Sequence, residues 1–309
     1  TLLQGAIDCP EIPLNVSRSY LQNDPYLQKI SAHIVKKIAD KLSELYKKER
    51  VQFEKYWEDI HPFIKYGMMQ DTSFYDKVKD VILFPSSSGY QTTIADYNDR
   101  NKEKLEKKVL YSVDKDRHAS YIGLCKEQGL EVIFLHAVID SHFIQFLEGK
   151  MEGVNFCAVD SDLSDILIDE NKKSEVVDPK DNKTADQKLV GFFETLLMDK
   201  KVKIECKFLK SKDVSGVILQ SEQSKRMEQL SMMMKGNAAG MPNMDELTFV
   251  INSNNSVISK IQGLLSDSSQ QDKVKSLCEH VYDLARMSHK PLLGEELQVF
   301  LQRSNSLLV

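Results

Sequence analysis

The chain has 309 residues, a formal net charge of -5 and 28% charged residues of both signs. This length accommodates two or more domains with a sizeable hydrophobic core. The acidic balance, with a pI of about 5.9, argues against a nucleic-acid-binding protein, because such binding requires a basic surface. No apolar run in the sequence approaches the length of a membrane span, so we expect neither a nucleic-acid nor a membrane partner.

The cysteines and histidines provide no recognisable metal site. The five cysteines are odd in number and widely scattered, which suits reduced thiols in a reducing compartment and predicts a cytoplasmic protein. The histidines form neither an HxxxH nor an HExxH pattern, and no glycine-rich phosphate-binding loop is recognisable in the sequence. We therefore expect no bound metal and no complete active site within these residues alone.

A polar motif near the beginning of the chain carries the candidate catalytic residues. Two prolines turn an extended run into a helix, for which Asn15 or Ser17 is the expected N-cap. Arg18 and Gln22 are four residues apart, so they share one face of that helix. An arginine held there suits a phosphate, because its planar set of donors matches phosphate oxygens. The alternative is a solvated arginine, or one paired with a surface carboxylate.

The motif reads Ile-Pro-Leu-Asn-Val-Ser-Arg over residues 12–18 and continues to Gln22. It resembles the catalytic loop of the 90-kilodalton heat-shock chaperone family, most closely that of its bacterial members. In that family the loop lies in the middle domain, and its arginine contacts the γ-phosphate of ATP held by a separate N-terminal domain. The resemblance implies that Arg18 binds this phosphate as a catalytic residue, while Gln22 and Asn15 hold the loop.

The resemblance also implies the cofactors and the extent of the protein. ATP with Mg is expected in the complete protein, and no cofactor is expected in these residues alone. The chain begins at Thr1 with a strand-like run that leads directly into the motif. We therefore interpret it as a C-terminal fragment of a larger chaperone.

The expected fold is a multidomain arrangement of the α/β and α+β classes. Residues 1–105 are predicted to form the end of a large αβα layer followed by a helical connector. Residues 106–160 are predicted to form a small parallel αβα layer, and the polar residues 161–187 a linker or hinge. Residues 188–309 are predicted to form an α+β C-terminal dimerisation domain.

Periodicity predicts the elements of the first two units. Apolar residues recur every three or four positions across residues 27–64, which is typical of amphipathic helices, and Trp57 is interpreted as a packing residue. Thr93 is predicted to cap a helix, with Asp96 three residues later. Strands and helices then alternate in the order βαβαβ, which favours a parallel sheet. The predicted elements are residues 109–113, 120–128, 131–135, 139–147 and 156–159.

A candidate client-binding surface lies on the second helix of this small layer. The resemblance places His142 and Gln145 at positions that contact client proteins in the bacterial family. A histidine stands where the family has a larger aromatic residue. The alternative is that His142 is an ordinary structural residue of the helix.

A methionine-rich run in the C-terminal unit is the second candidate client-binding segment. The unit is otherwise predicted to contain a helix at residues 189–198 and strands at residues 202–208, 216–219 and 247–252. Methionine is flexible and polarizable, and it recurs on surfaces that bind varied partners. The alternative is the buried face of an ordinary helix. The candidate residues are Met227, Leu230, Met233 and Met234.

The chain ends in helices with more aliphatic residues than a small monomeric unit requires. The final helices resemble the family's dimerisation segment, and a two-fold helical bundle would bury one apolar patch against its copy. The alternative is the core of a monomer. The expected contact residues are Val281, Leu284, Leu297, Phe300 and Leu301.

Taken with the resemblance, these patterns predict part of an ATP-dependent molecular chaperone that acts in protein folding and stress response. It would form a homodimer and bind unfolded or partly folded clients. The competing hypothesis is a non-enzymatic dimeric helical scaffold or adaptor, in which Arg18 forms only an ion pair. A nucleotide-binding domain encoded before Thr1 would favour the chaperone.

Overall fold

The computed structural model describes residues 25–161, 164–172, 183–225 and 247–308. Within these ranges the protein has a mixed α/β architecture, with a helical part followed by a small parallel sheet and then a mixed sheet. This agrees with the expected fold class at that level of detail. The candidate loop residues Asn15, Arg18 and Gln22 lie outside the described residues, as does the methionine-rich run.

The helical part consists of three consecutive helices, α1 (Pro25–Lys48), α2 (Arg50–Gln70) and α3 (Thr72–Val78). The predicted periodicity is confirmed, because the apolar face of α2 is buried at Phe53 and Trp57. The Trp57 indole also donates a hydrogen bond of 2.9 Å to the carbonyl of Leu83. This satisfied indole is typical of a packing residue.

A two-stranded antiparallel ribbon, β1 (Phe84–Pro85) and β2 (Gln91–Thr92), precedes helix α4 (Ile94–Leu105). The Thr93 hydroxyl accepts a hydrogen bond of 3.1 Å from the amide of Asp96. The predicted N-cap is therefore confirmed.

The small sheet is formed by strands β3 (Lys108–Ser112), β4 (Ile133–Phe134) and β5 (Asn155–Ala158), in the order β4-β3-β5. Both neighbouring pairs are parallel, and the crossovers contain helices α5 (Ala119–Glu127) and α6 (Asp140–Lys150). The predicted βαβαβ order is confirmed.

Strand β4 is shorter than the predicted residues 131–135 because backbone groups before it bond elsewhere. The Glu131 carbonyl accepts a hydrogen bond of 2.8 Å from the Tyr97 hydroxyl. The Val132 carbonyl accepts one of 2.7 Å from the amide of Ser87. These carbonyls therefore bond to the surrounding segments instead of extending the ladder.

The second sheet is formed by β6 (Val202–Lys207), β7 (Gly216–Gln220) and β8 (Leu247–Asn252), in the order β6-β8-β7. Strand β8 pairs in parallel with β6 and antiparallel with β7. Gly216 lies against β8 so closely that an added Cβ would approach the Val250 carbonyl to 2.9 Å. This close approach requires a glycine.

A short helix, α7 (Ser164–Leu167), precedes this unit. The amide of Asp169 donates a hydrogen bond of 2.7 Å to the Phe208 carbonyl, and the amide of Lys210 donates one of 2.8 Å to the Leu167 carbonyl. The chain after the small sheet is therefore paired with the second unit over these residues. The hinge role assigned to residues 161–187 stays a prediction.

Four longer helices complete the chain: α8 (Ala185–Leu196), α9 (Ser256–Leu264), α10 (Gln271–His289) and α11 (Glu295–Leu307). Helix α8 begins earlier than the apolar pattern predicts because Thr184 and Gln187 form a reciprocal capping box. No helix among the described residues is long and apolar enough to cross a membrane.

The described residues form two hydrophobic cores. The first runs from the helical part through the small sheet, and residues of the second unit extend it. The second lies between the other face of the second sheet and helices α8, α9 and α10. The residues that extend the first core across the boundary are Ile166, Leu167, Leu209, Val217, Leu219 and Val250.

Candidate functional site

The predicted client-binding residues on α6 lie on its exposed face. His142 and Gln145 are both exposed, whereas Phe143 and Leu147 are buried in the first core. Val138, in the turn that precedes α6, is 79% exposed. We call Val138, His142 and Gln145 the α6 surface. It offers an apolar side chain together with an imidazole and an amide.

A buried ion pair fixes the start of α6. Lys65 of α2 places its Nζ 2.6 Å from Asp140 Oδ1, and each side chain is only 2% exposed. The other carboxylate oxygen of Asp140 accepts a hydrogen bond of 3.0 Å from the amide of Ala137. The Lys65 ammonium also lies 4.8 Å from the ring centre of Phe84, within cation–π range.

This ion pair was missed from the sequence, although one signal was present. Lys65 follows Ile64 directly and lies on the apolar face of α2, where a lysine has to be paired if it is buried. Burial lowers the pKa of Lys65, while Asp140 opposes this shift by stabilising the ammonium. Burial also lowers the pKa of the neighbouring His61 to about 4, with Lys65 adding to the effect.

The predicted dimerisation residues divide into buried and exposed groups. Val281 and Phe300 are buried within the protomer, and Leu297 is half-buried. Leu284 is 43% exposed and Leu301 is 50% exposed. The residues on and between α10 and α11 that we call the terminal apolar face are the exposed Leu284, Met287, Leu293 and Leu301.

Polar contacts join α10 and α11 into a hairpin. The guanidinium of Arg303 lies 2.7 Å from Asp283 Oδ2 and 3.2 Å from Glu279 Oε2. The rings of His280 and Phe300 are stacked, with their centres 4.9 Å apart. These contacts orient Phe300 inward and leave the terminal apolar face outside.

A serine, a histidine and an aspartate meet at the end of the small sheet. The Ser112 hydroxyl lies 3.0 Å from His118 Nδ1, and His118 Nε2 lies 3.5 Å from Asp160 Oδ2. A serine hydrolase uses the opposite ring nitrogens, Nε2 towards serine and Nδ1 towards aspartate. All three side chains are also buried, so the hydroxyl is closed to a substrate and the arrangement is structural.

The charge state of this cluster follows from its burial. Burial, with smaller contributions from Lys225 and Arg117, lowers the pKa of His118 to about 4. The imidazole is therefore neutral at pH 7, although it faces the carboxylate of Asp160. No group of three or more potential metal ligands occurs among the residues that the structure describes.

Comparison with known proteins identifies the family. A family model described as Hsp90 protein matches residues 1–308. The chain is 34% identical over 272 residues to the chaperone protein HtpG of Porphyromonas gingivalis. It is 36% identical over 275 residues to HtpG of Bacteroides fragilis and 35% identical over 272 residues to HtpG of Bacteroides thetaiotaomicron.

Each of these alignments covers 84% of this chain and 39% of the relative, so the chain spans about two fifths of the length of these curated relatives. The match of the family model extends far beyond the motif at residues 12–18 from which the resemblance was inferred. The resemblance is confirmed, and the chain belongs to the Hsp90 family and is of the bacterial HtpG type.

Proposed function

We propose that this chain is the client-binding and dimerising part of an ATP-dependent molecular chaperone. The observation that carries this proposal is the terminal apolar face on α10 and α11, in a chain that the Hsp90 family model matches over residues 1–308. An apolar face of this kind is favoured to pack against its copy in a two-fold dimer. The curated relatives are named as chaperones.

The client-binding part of the proposal rests on two surfaces. The α6 surface is exposed and is held by the Lys65–Asp140 ion pair, so its position is fixed before a client binds. Preorganisation of this kind reduces the entropy lost on binding. The methionine-rich run, with Met227, Leu230, Met233 and Met234, supplies flexible apolar side chains that adapt to different clients.

In the ATP-dependent part of the proposal, Arg18 contacts the γ-phosphate of ATP bound with Mg²⁺ by a domain that these 309 residues do not include. The bound Mg²⁺ offsets charge on the phosphates. Arg18 supplies a further positive charge, while Gln22 and Asn15 hold the loop. The support is the motif at residues 12–18 and the family match.

A cytoplasmic location is part of the proposal, since none of the four cysteines in the described chain forms a disulfide.

The test of this function is ATP turnover by the complete protein that contains this chain. Arg18→Ala is expected to reduce turnover on the order of a thousandfold, because it removes an arginine from the transferred phosphoryl group. Arg50→Ala is the matched control, since Arg50 pairs with Glu54 within α2. Near-normal turnover by the Arg18 variant would instead favour the scaffold hypothesis.

A further inference from the structure

Asp160 is the centre of a buried charge cluster at the boundary between the two sheets. Lys225 Nζ forms an ion pair with Asp160 Oδ1. Asp160 Oδ2 lies 3.5 Å from His118 Nε2 and 3.7 Å from His289 Nδ1. The Asp160 side chain itself is 2% exposed. A single carboxylate is therefore surrounded by three nitrogen-bearing side chains.

The partners of Asp160 come from separate parts of the chain. Asp160 follows β5, and His118 directly precedes α5, so both belong to the small sheet and its crossovers. Lys225 lies in the helical residues 222–225 that follow β7 of the second sheet. His289 is the last residue of α10. The carboxylate thus joins the small αβα layer to the second sheet and to the end of a terminal helix.

Hydrogen bonds around Asp160 hold the residues after β7 on the small sheet. The amide of Gln220 donates a hydrogen bond of 3.1 Å to the Asp160 carbonyl. The carboxylate of Glu222 accepts two, each of 3.1 Å, from the Tyr111 hydroxyl and from the amide of Ala158. Lys225 is therefore presented to Asp160 by a segment that is itself docked on β3 and β5.

A parallel set of contacts holds the end of α10. The guanidinium of Arg117 donates a hydrogen bond from Nε to the His289 carbonyl. The Ser288 hydroxyl lies 3.2 Å from the hydroxyl of Ser120 in α5. The final turn of α10 is thus attached to the small layer at the backbone of His289 and at the side chain of Ser288. Met287, which belongs to the terminal apolar face, lies in this same turn.

We propose that Asp160 is a positioning residue that fixes the C-terminal end of α10 on the small αβα layer, and with it the orientation of the terminal apolar face. The inference rests on the proposed function, because it assigns to that face its role in dimerisation. Lys225 forms the ion pair with one oxygen of the buried carboxylate, and the other oxygen lies 3.7 Å from His289 Nδ1. Dimerisation is coupled in this way to the layer that carries the α6 surface.

Two variants separate positioning from stability. Asp160→Asn removes the carboxylate that forms the ion pair with the buried Lys225, so it is expected to lower stability. The double variant Asp160→Asn/Lys225→Met removes both charges, and replacement of a whole buried pair is often close to neutral in stability. In both variants the charged oxygen that faces His289 is gone.

The measurements are the dimer dissociation constant and amide hydrogen exchange of the 309-residue chain. In the double variant we expect dimer dissociation to become about fivefold easier or more, the usual lower range of coupling between sites. Amides of residues 286–290 are expected to exchange faster. Lys65→Met/Asp140→Leu is the control, since it removes both charges of another buried ion pair and should leave exchange at residues 286–290 unchanged.

The experiment separates failure of the inference about Asp160 from failure of the proposed function. Wild-type dimerisation and wild-type exchange at residues 286–290 in the double variant would overturn the role of Asp160. A wild-type chain that stays monomeric would overturn the dimerisation proposal instead. Exchange at residues 286–290 would then still decide whether Asp160 fixes the end of α10, because that measurement does not require a dimer.

Discussion

Lys65 Nζ and Asp140 Oδ1 lie 2.6 Å apart across the contact between α2 and α6, and both side chains are almost completely buried. The pair is 75 residues apart in the sequence. It joins the helical part of the chain to the layer that carries the α6 surface. A buried pair of this kind is costly to break from one side, because the remaining charge loses its partner without regaining water.

Lys65→Met is therefore expected to lower the free energy of unfolding by about 3–5 kcal/mol. Asp140 would remain buried without its cation, while the Ala137 amide would still donate a hydrogen bond to its carboxylate. Urea unfolding of the 309-residue chain measures the change. The double variant Lys65→Met/Asp140→Leu should recover part of the loss. A single variant within about 0.5 kcal/mol of wild type, the range of ordinary surface substitutions, would contradict this account of the pair.

The lowered pKa of His118 predicts how the free energy of unfolding depends on pH. Its pKa is about 4 in the folded protein, lowered mainly by burial, and about 6.5 in an unfolded chain. Between these values the unfolded state binds a proton that the folded state does not, so the free energy of unfolding falls as the pH drops from 6.5 towards 4. At pH 5 the protonation of His118 in the unfolded state lowers the free energy of unfolding by about 2 kcal/mol relative to its value above pH 7.

His118→Gln should reduce that pH-dependent loss. The measurement is the difference between the unfolding free energies at pH 7.5 and pH 5, which cancels any constant effect of losing the contact to Ser112. His61 also has a lowered pKa of about 4, so part of the dependence will remain. An identical difference in wild type and variant would show that His118 takes up its proton equally in the folded and unfolded states.

Substitutions in the terminal apolar face are expected to abolish dimerisation without unfolding the protomer. Leu284→Asp/Leu301→Asp should produce monomers, because charges at an apolar interface are unpaired when the two copies meet. The fold should survive, since both leucines are exposed in the protomer. Analytical ultracentrifugation measures the dissociation constant, which should rise by about tenfold or more. Val257→Asp, at an exposed apolar position of α9, is the control that should stay dimeric.

Substitutions in the α6 surface are expected to lower the affinity for clients without changing the stability of the fold. His142→Ala/Gln145→Ala should weaken binding of an unfolded protein, while the unfolding free energy changes by less than about 0.5 kcal/mol for each exposed position. The control is Lys126→Ala/Glu127→Ala, which removes two exposed side chains of α5. Equal affinities for the two double variants would exclude the α6 surface as a client contact.

Much of the fold follows from local patterns in the sequence. The sequence predicted strand β8 at residues 247–252, and the structure gives the same bounds. The helices at α1, α2 and α6 also follow from apolar spacing. Boundaries differ where a side chain or a distant segment decides them. The capping box at Thr184 extends α8, and the tertiary hydrogen bond to the Glu131 carbonyl shortens β4.

The buried charge contacts could not be predicted in the same way. Lys225 and Asp160 are separated by 65 residues, and no local pattern links two residues so far apart. Lys65 did carry a local signal, a lysine on an apolar helix face, but its partner became apparent only when α2 packed on α6. The roles assigned to Arg18 and to the methionine-rich run stay predictions, since both lie outside the described residues.

The most direct test of the chaperone proposal is a binding titration of the 309-residue chain with a fluorescently labelled protein that is kept unfolded by reduction and alkylation of its cysteines. The wild-type chain is expected to bind it. Substitution of Met227, Leu230, Met233 and Met234 by serine is expected to weaken binding by about tenfold or more, equivalent to 1.4 kcal/mol, with an unchanged unfolding curve. Unchanged affinity, or a variant that no longer folds because these residues form a core, would contradict the account.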